Sequence, residues 1–119
     1  MQDFRKLKVW ESAHTLTLDI YKATATFPKH EQYGLISQIQ RAAVSISANI
    51  AEGCAKATDA DFARYLQIAL GSSSELEYLL LLARDLSYLS EESHQKLSAS
   101  LIQVRKMLNS FLQTLRAKR

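Results

Sequence analysis

The chain reads as an all-α protein, an up-down-up-down antiparallel four-helix bundle, on three observations. Only three glycines and one proline interrupt 119 residues, so the elements must be long. Apolar residues recur at alternating steps of three and four in four separate stretches, the spacing of an amphipathic helix. No strand pattern competes with them, and the links are short enough to set neighbouring helices antiparallel. The length suits a single domain over residues 1–119 with one core.

Arg5, Lys6 and Lys8 surround Phe4 and Leu7 in the first eight residues. The segment is either a solvated terminus or a basic arm whose Phe4 and Leu7 dock on the bundle or a neighbour. The first helix is expected over about residues 7–26, with Trp10, Ala13, Thr17, Ile20, Thr24 and Phe27 on one seam and Val9 and Leu16 widening it. Phe27-Pro28 stops it, because a residue before proline is pushed out of the α region. Residues 29–34 form a connection hinged at Tyr33-Gly34.

The second helix, about residues 35–52, carries two stripes side by side. Leu35, Ile39, Ala42, Ile46 and Ile50 form a core face, and Gln38, Arg41, Ser45, Asn49 and Glu52 form a polar line beside it. That line is expected either as a hydrogen-bonded network against the third helix, near Ser72 and Glu75, or as a binding site. Its gain as a network would be register. Gly53 offers the left-handed position that ends a helix, and Cys54 follows it.

Thr58, with Asp61 three residues on, caps a third helix over about residues 59–88. Its seam of Phe62, Leu66, Ala69, Ser73, Leu76, Leu80 and Ala83 is a heptad pattern, expected to pack at roughly +20°. Gly71, among small residues, reads as a close helix–helix approach. Leu79, Leu80, Leu81 and Leu82 cover about 300° of a helix, more than one seam buries, so a second copy of the chain is expected over part of them. Ser90 caps the fourth helix, about residues 91–116, whose seam is Leu97, Leu101, Val104, Leu108, Phe111 and Leu115.

Function is less legible than architecture. A formal charge of +3 permits contact with RNA or DNA without demanding it. A lone cysteine excludes an intrachain disulfide, and no secretory or membrane-spanning segment is recognisable, so a cytoplasmic location and no membrane partner are expected. Glu91 and His94 make a single Glu-x-x-His spacing at a helix start, short of the paired motif of di-iron bundles, and His14 and His30 have no partner at ligand spacing. Cys54 stands after a helix C-terminus, where the dipole raises a thiol pKa, and Glu75 and Glu77 lie on different helix faces. The expectation is no catalytic residue, no metal, no cofactor and no small-molecule substrate. Candidate contacts to nucleic acid are Arg5, Lys6, Lys8, Lys56, Arg64, Arg105, Lys106, Arg116, Lys118 and Arg119.

Four motifs carry a family resemblance: Phe4-x-x-Leu7-x-Val9-Trp10; Phe27-Pro28-x-x-Glu31-x-Tyr33-Gly34-Leu35; Gln38-Ile39-x-Arg41-Ala42-Ala43-x-Ser45-Ile46-x-x-Asn49-Ile50-Ala51-Glu52-Gly53; and Ala69-x-Gly71-Ser72. They resemble the four-helix-bundle proteins encoded in intervening sequences of bacterial 23S rRNA genes, a family also labelled S23 ribosomal protein. The resemblance covers residues 4 to about 90, and the fourth helix matches in character only. It implies a left-handed bundle assembled as a homopentamer around a central channel, in the cytoplasm, with no established catalytic activity. It also relates the chain to accessory proteins of diversity-generating retroelements, which bind nucleic acid through basic pentamer surfaces. The expected function is that of a non-enzymatic pentamer binding RNA or DNA through its basic groups. The alternative is a protein-interaction scaffold that binds no nucleic acid.

Overall fold

The computed structural model describes residues 3–117. Four helices, α1 (Lys8–Thr24), α2 (Leu35–Cys54), α3 (Asp59–Asp85) and α4 (Glu91–Ala117), make up almost all of it, with single 3-10 turns at Phe4–Lys6 and Lys29–Glu31. Each helix packs on two others: α1 on α2 and α4, α3 on α2 and α4. Contacts fix the directions. Thr17 meets Ser47 and Thr24 meets Gln40, Ser45 meets Ser72 and Gly53 lies against Phe62, and Arg105 meets Glu77 while Phe111 meets Phe62, so each helix runs against its neighbours. The result is a four-helix bundle 47 Å long and 23 × 21 Å across.

The predicted seams are the core. All seven seam residues of α3 and all five of α2 are buried. In α1 only Trp10 of the seam is partly exposed, and Val9 and Leu16 are buried with the rest. In α4, Leu112 is buried and Phe111 only partly, because the seam drifts by one position beyond Leu108 and brings Phe111 edge-on to Phe62 at 5.1 Å. Phe4 and Leu7 dock on the bundle, Phe4 lying edge-on to Trp10 at 4.9 Å between ring centroids.

Both helix starts predicted from caps are observed. Thr58 Oγ accepts from the Asp61 backbone N–H at 3.1 Å, and Ser90 Oγ accepts from that of Ser93 at 3.0 Å. The start of α2 uses a cap not foreseen: Glu31 Oε1 accepts the Leu35 N–H at 3.2 Å, while Glu31 Oε2 accepts the Tyr88 hydroxyl at 2.9 Å. These two bonds, the Leu35 one foremost, hold the Glu31 carboxyl below its usual range, and the bond to Glu31 raises the Tyr88 phenol. One side chain thus ties the α1–α2 connection to the α3–α4 connection, where the rings of Tyr88 and Phe27 also meet at 5.5 Å.

Several expectations require correction. Gly53 is not a left-handed terminator: α2 continues through it to Cys54, and no glycine has positive φ among the described residues. It is buried, and a Cβ there would stand 2.8 Å from both Phe62 Cδ1 and Tyr65 Cβ, so it is the close-approach glycine. Gly71 has the opposite character, exposed and with nothing within 4 Å of an added Cβ. Cys54 lies in the last turn of α2 and is buried. Helix α3 stops at Asp85, three residues early, because Ser87 adopts φ 66° and a Schellman pair closes the end: Ser87 N–H to Arg84 O and Tyr88 N–H to Ala83 O, both 2.9 Å. Helix α1 also frays short of residue 26, ending at Thr24. Finally, the bundle itself covers most of the leucine run: Leu79 and Leu80 are buried, Leu82 partly so, and Leu81 is 38% exposed. Helix α3 has α2 on one flank and α4 on the other, so these leucines do not require a second copy.

Candidate nucleic-acid interface

The polar line of α2 divides in two. Ser45 and Asn49 are drawn in: the Ser45 and Ser72 hydroxyls share a 2.7 Å hydrogen bond, and Asn49 Nδ2 donates to the Ser45 carbonyl at 2.8 Å and its hydroxyl at 3.0 Å. Gln38, Arg41 and Glu52 are exposed and make no side-chain hydrogen bond or ion pair among the described residues. Gln38, Arg41, Ala42, Ser45 and Glu75 line a solvent-open depression of about 390 Å³. The network therefore spans one contact between α2 and α3 rather than the whole line. A second buried network was not foreseen. Thr17 Oγ1 donates to the Ala13 carbonyl at 2.9 Å, lies 3.3 Å from that of Ala43, and shares a 3.2 Å bond with Ser47. Its signal was a threonine on the seam, as is Thr24, which accepts from Gln40 Nε2 at 3.0 Å.

The antiparallel topology sorts the charges along the bundle. In the half where α1 and α3 begin and α2 and α4 end stand Arg5, Lys6, Lys8, Lys56, Arg64, Lys106 and Arg116, against Asp3, Glu11, Glu52, Asp59 and Asp61. The opposite half carries Lys22, Lys29, Arg84 and Lys96 against Asp19, Glu31, Asp85, Glu91 and Glu92. Arg41, Arg105, Glu75 and Glu77 lie nearer the middle and cancel, so one end is net positive and the other net negative. Chain order hides this, because the basic end is gathered from three separate stretches, residues 5–8, 56–64 and 106–116.

Pairing sharpens the contrast. At the acidic end Arg84 lies 3.2 Å from Asp85 and 3.9 Å from Glu91, and Lys96 3.1 Å from Glu92. Among the described residues, Lys22 and Lys29 of that end have no ion-pair partner, and at the basic end Arg5 and Arg64 alone have one, Asp3 at 3.0 Å and Asp61 at 4.0 Å. Hydrogen bonds from the Arg5 side chain and backbone N–H hold the Asp3 carboxyl below its usual range. Lys6, Lys8, Lys56, Lys106 and Arg116 are exposed and have no ion-pair partner among the described residues. Lys8 and Lys106 face each other across a depression that Leu7, Met107 and Phe111 also line. Lys56 Nζ and Arg64 Cζ sit 5.0 and 4.9 Å from the centroid of the Tyr65 ring.

Arg105 does not belong with this group. Its guanidinium donates to the Ser73 hydroxyl and carbonyl at 3.3 Å each and to Glu77 Oε1 at 3.2 Å, pinning α4 to α3. Lys118 and Arg119 lie outside the described residues. Among the described residues no group of three or more His, Cys, Asp and Glu side chains could hold a metal ion, and no helix is long and apolar enough to cross a membrane.

A one-domain bundle with a polar contact in α2 and a charge gradient along its axis defines a structural class. The particular family follows from comparison: residues 5–110 match the model of the 23S rRNA-intervening sequence proteins, and the chain belongs to that family. It is similar in structure to a protein of unknown function from the S23 ribosomal protein family of Bacteroides thetaiotaomicron VPI-5482, with 26% identity and a TM-score of 0.81, over 88% of this chain and 95% of that one. No curated protein matches.

Proposed function

We propose that this protein is a non-enzymatic homopentamer of the cytoplasm that binds RNA or DNA through the basic ends of its bundles. The observation that carries the reading is the set of five exposed cations in one half of the bundle that have no ion-pair partner among the described residues: Lys6, Lys8, Lys56, Lys106 and Arg116. A cation already paired gains little from a phosphate, because the new contact replaces an old one. An unpaired one releases a condensed counterion from the nucleic acid when it binds, which favours association. One chain offers few such contacts, so affinity depends on assembly, where several copies on one ring act together. Family membership supports the assembly, through the resemblance described above.

Binding of a structured RNA at low ionic strength, followed by gel shift, tests the reading. A complex that dissolves as salt is added is expected, and no complex at any ionic strength would sink it. Sedimentation tests the assembly. The pentamer predicts five times the 13.4 kDa of one chain, and a species near 13.4 kDa at micromolar concentration would refute it.

A second reading, a scaffold for a partner protein, is favoured by a different observation. Leu18, Tyr21 and Val44 are 49, 45 and 41% exposed, next to the α1–α2 contact of Thr17 with Ala43. A pull-down that survives nuclease treatment would favour it.

A further inference from the structure

The basic end interleaves its cations with aromatic rings, and we infer that its ligand is single-stranded nucleic acid, held by base stacking on His14 as well as by phosphate contacts. This rests on the nucleic-acid reading above and narrows it to one class of strand. Trp10 and His14, one helical turn apart on α1, stack with rings 9° from parallel and centroids 4.8 Å apart. Phe4 braces Trp10 edge-on from the docked N-terminal turn, at 4.9 Å and 66°. The inner rings are partly buried and His14 is exposed, so the stack presents one open ring face to solvent. Arg5 lies over the Phe4 ring, 5.6 Å from its centroid.

Tyr65, in the second turn of α3, anchors further cations. Its ring has Lys56 at 5.0 Å and Arg64 at 4.9 Å from the centroid. Both cations lie over the Tyr65 ring itself, so Tyr65 holds them in place for phosphates, while the ring left for a base is that of His14. A duplex keeps its base faces stacked on one another and offers such rings nothing, whereas a single strand has free π-faces. The aromatic faces would therefore be idle if the ligand were a duplex.

Trp10 is the chain's sole tryptophan, so its fluorescence reports on the stack directly. The experiment titrates the full-length protein at low salt with an oligothymidylate, with a DNA duplex of equal length, and with inorganic polyphosphate, which has charge but no bases. The inference expects the oligothymidylate to bind tightest and to quench Trp10. His14→Ala should weaken that binding about five-fold or more, while polyphosphate binding is unchanged. His14→Tyr, which keeps a ring, should retain it. Lys8→Gln should weaken all three ligands alike. Circular dichroism of each variant checks that the helices persist. Equal affinity for all three ligands with no effect of His14→Ala would overturn stacking and leave the electrostatic reading standing. No binding to any of the three would overturn both.

Discussion

One added methyl group at Gly53 measures how closely α2 and α3 approach. Its Cβ would lie 2.8 Å from Phe62 Cδ1, 2.8 Å from Tyr65 Cβ and 3.3 Å from Phe62 Cε1, against an optimal carbon–carbon separation of about 3.5–4.0 Å. The Tyr65 Cβ is anchored to the backbone of α3, so turning a side chain does not relieve that contact and the helix must retreat. Overpacking of this kind costs about 1–3 kcal/mol. Alanine returns up to about 1 kcal/mol of helix propensity, less in a final turn, so Gly53→Ala should lose about 1–2 kcal/mol. Gly71→Ala is the matched control, the same chemical change in a helix with open space around it, and should gain about 1 kcal/mol. Urea unfolding followed by circular dichroism, at one fixed protein concentration because assembly adds to apparent stability, reads both. In the double variant Gly53→Ala/Phe62→Leu, the smaller ring-free side chain should restore part of the loss, a coupling of at least about 0.5 kcal/mol. Gly53→Ala as stable as Gly71→Ala would refute the close approach. A loss with no coupling to Phe62 would point to a backbone cause instead.

Ser87→Gly should stabilise by about 1 kcal/mol, because glycine holds the left-handed φ of 66° without the steric cost a Cβ brings; Ser87→Ala in the same melts should gain nothing. Thr17→Val leaves the buried Ser47 hydroxyl without its partner and should cost about 1–3 kcal/mol in urea, most of it recovered in Thr17→Val/Ser47→Ala. Glu31 has a depressed folded-state pKa, so its contribution to stability is present above the unfolded value of 4.5 and is lost as pH falls through the folded value. Glu31→Gln should therefore flatten the acid limb of stability against pH. For Tyr88 the sign reverses: its raised pKa gives a contribution present below the unfolded 10.0 and lost as pH rises through the folded value, so Tyr88→Phe should flatten the alkaline limb.

What was legible in the sequence was whatever periodicity carries. The α3 seam from Phe62 to Ala83 was readable because burial in a bundle follows a 3.5-residue repeat, and Thr58 and Ser90 were readable because capping is local chemistry. Gly53 is the close contact rather than the terminator and Gly71 is neither, since glycine can mark either and only the position of Phe62 and Tyr65 tells which. The end of α3 was hidden because a serine occupies the left-handed position that glycine usually marks. The candidate site was half legible. Its cations were all named, but Arg105 could not be set apart without Ser73 and Glu77 from the neighbouring helix. The aromatic partners Phe4, Trp10 and His14 were read as seam, arm or surface residues: Trp10 and His14 share an i, i+4 spacing, but the contact of Phe4 across a docked turn leaves no periodic trace.

The claim that the basic end binds nucleic acid is tested most directly by the salt dependence of affinity, compared between the native protein and a variant with Lys6, Lys8, Lys56, Lys106 and Arg116 changed to glutamine. Each phosphate contact contributes a slope of about −0.7 on single strands in a plot of log affinity against log salt. The account predicts a clearly negative slope for the native protein and a much shallower one, with weaker binding, for the variant. Equal slopes for the two proteins, or no binding by the native one at low salt, would contradict it.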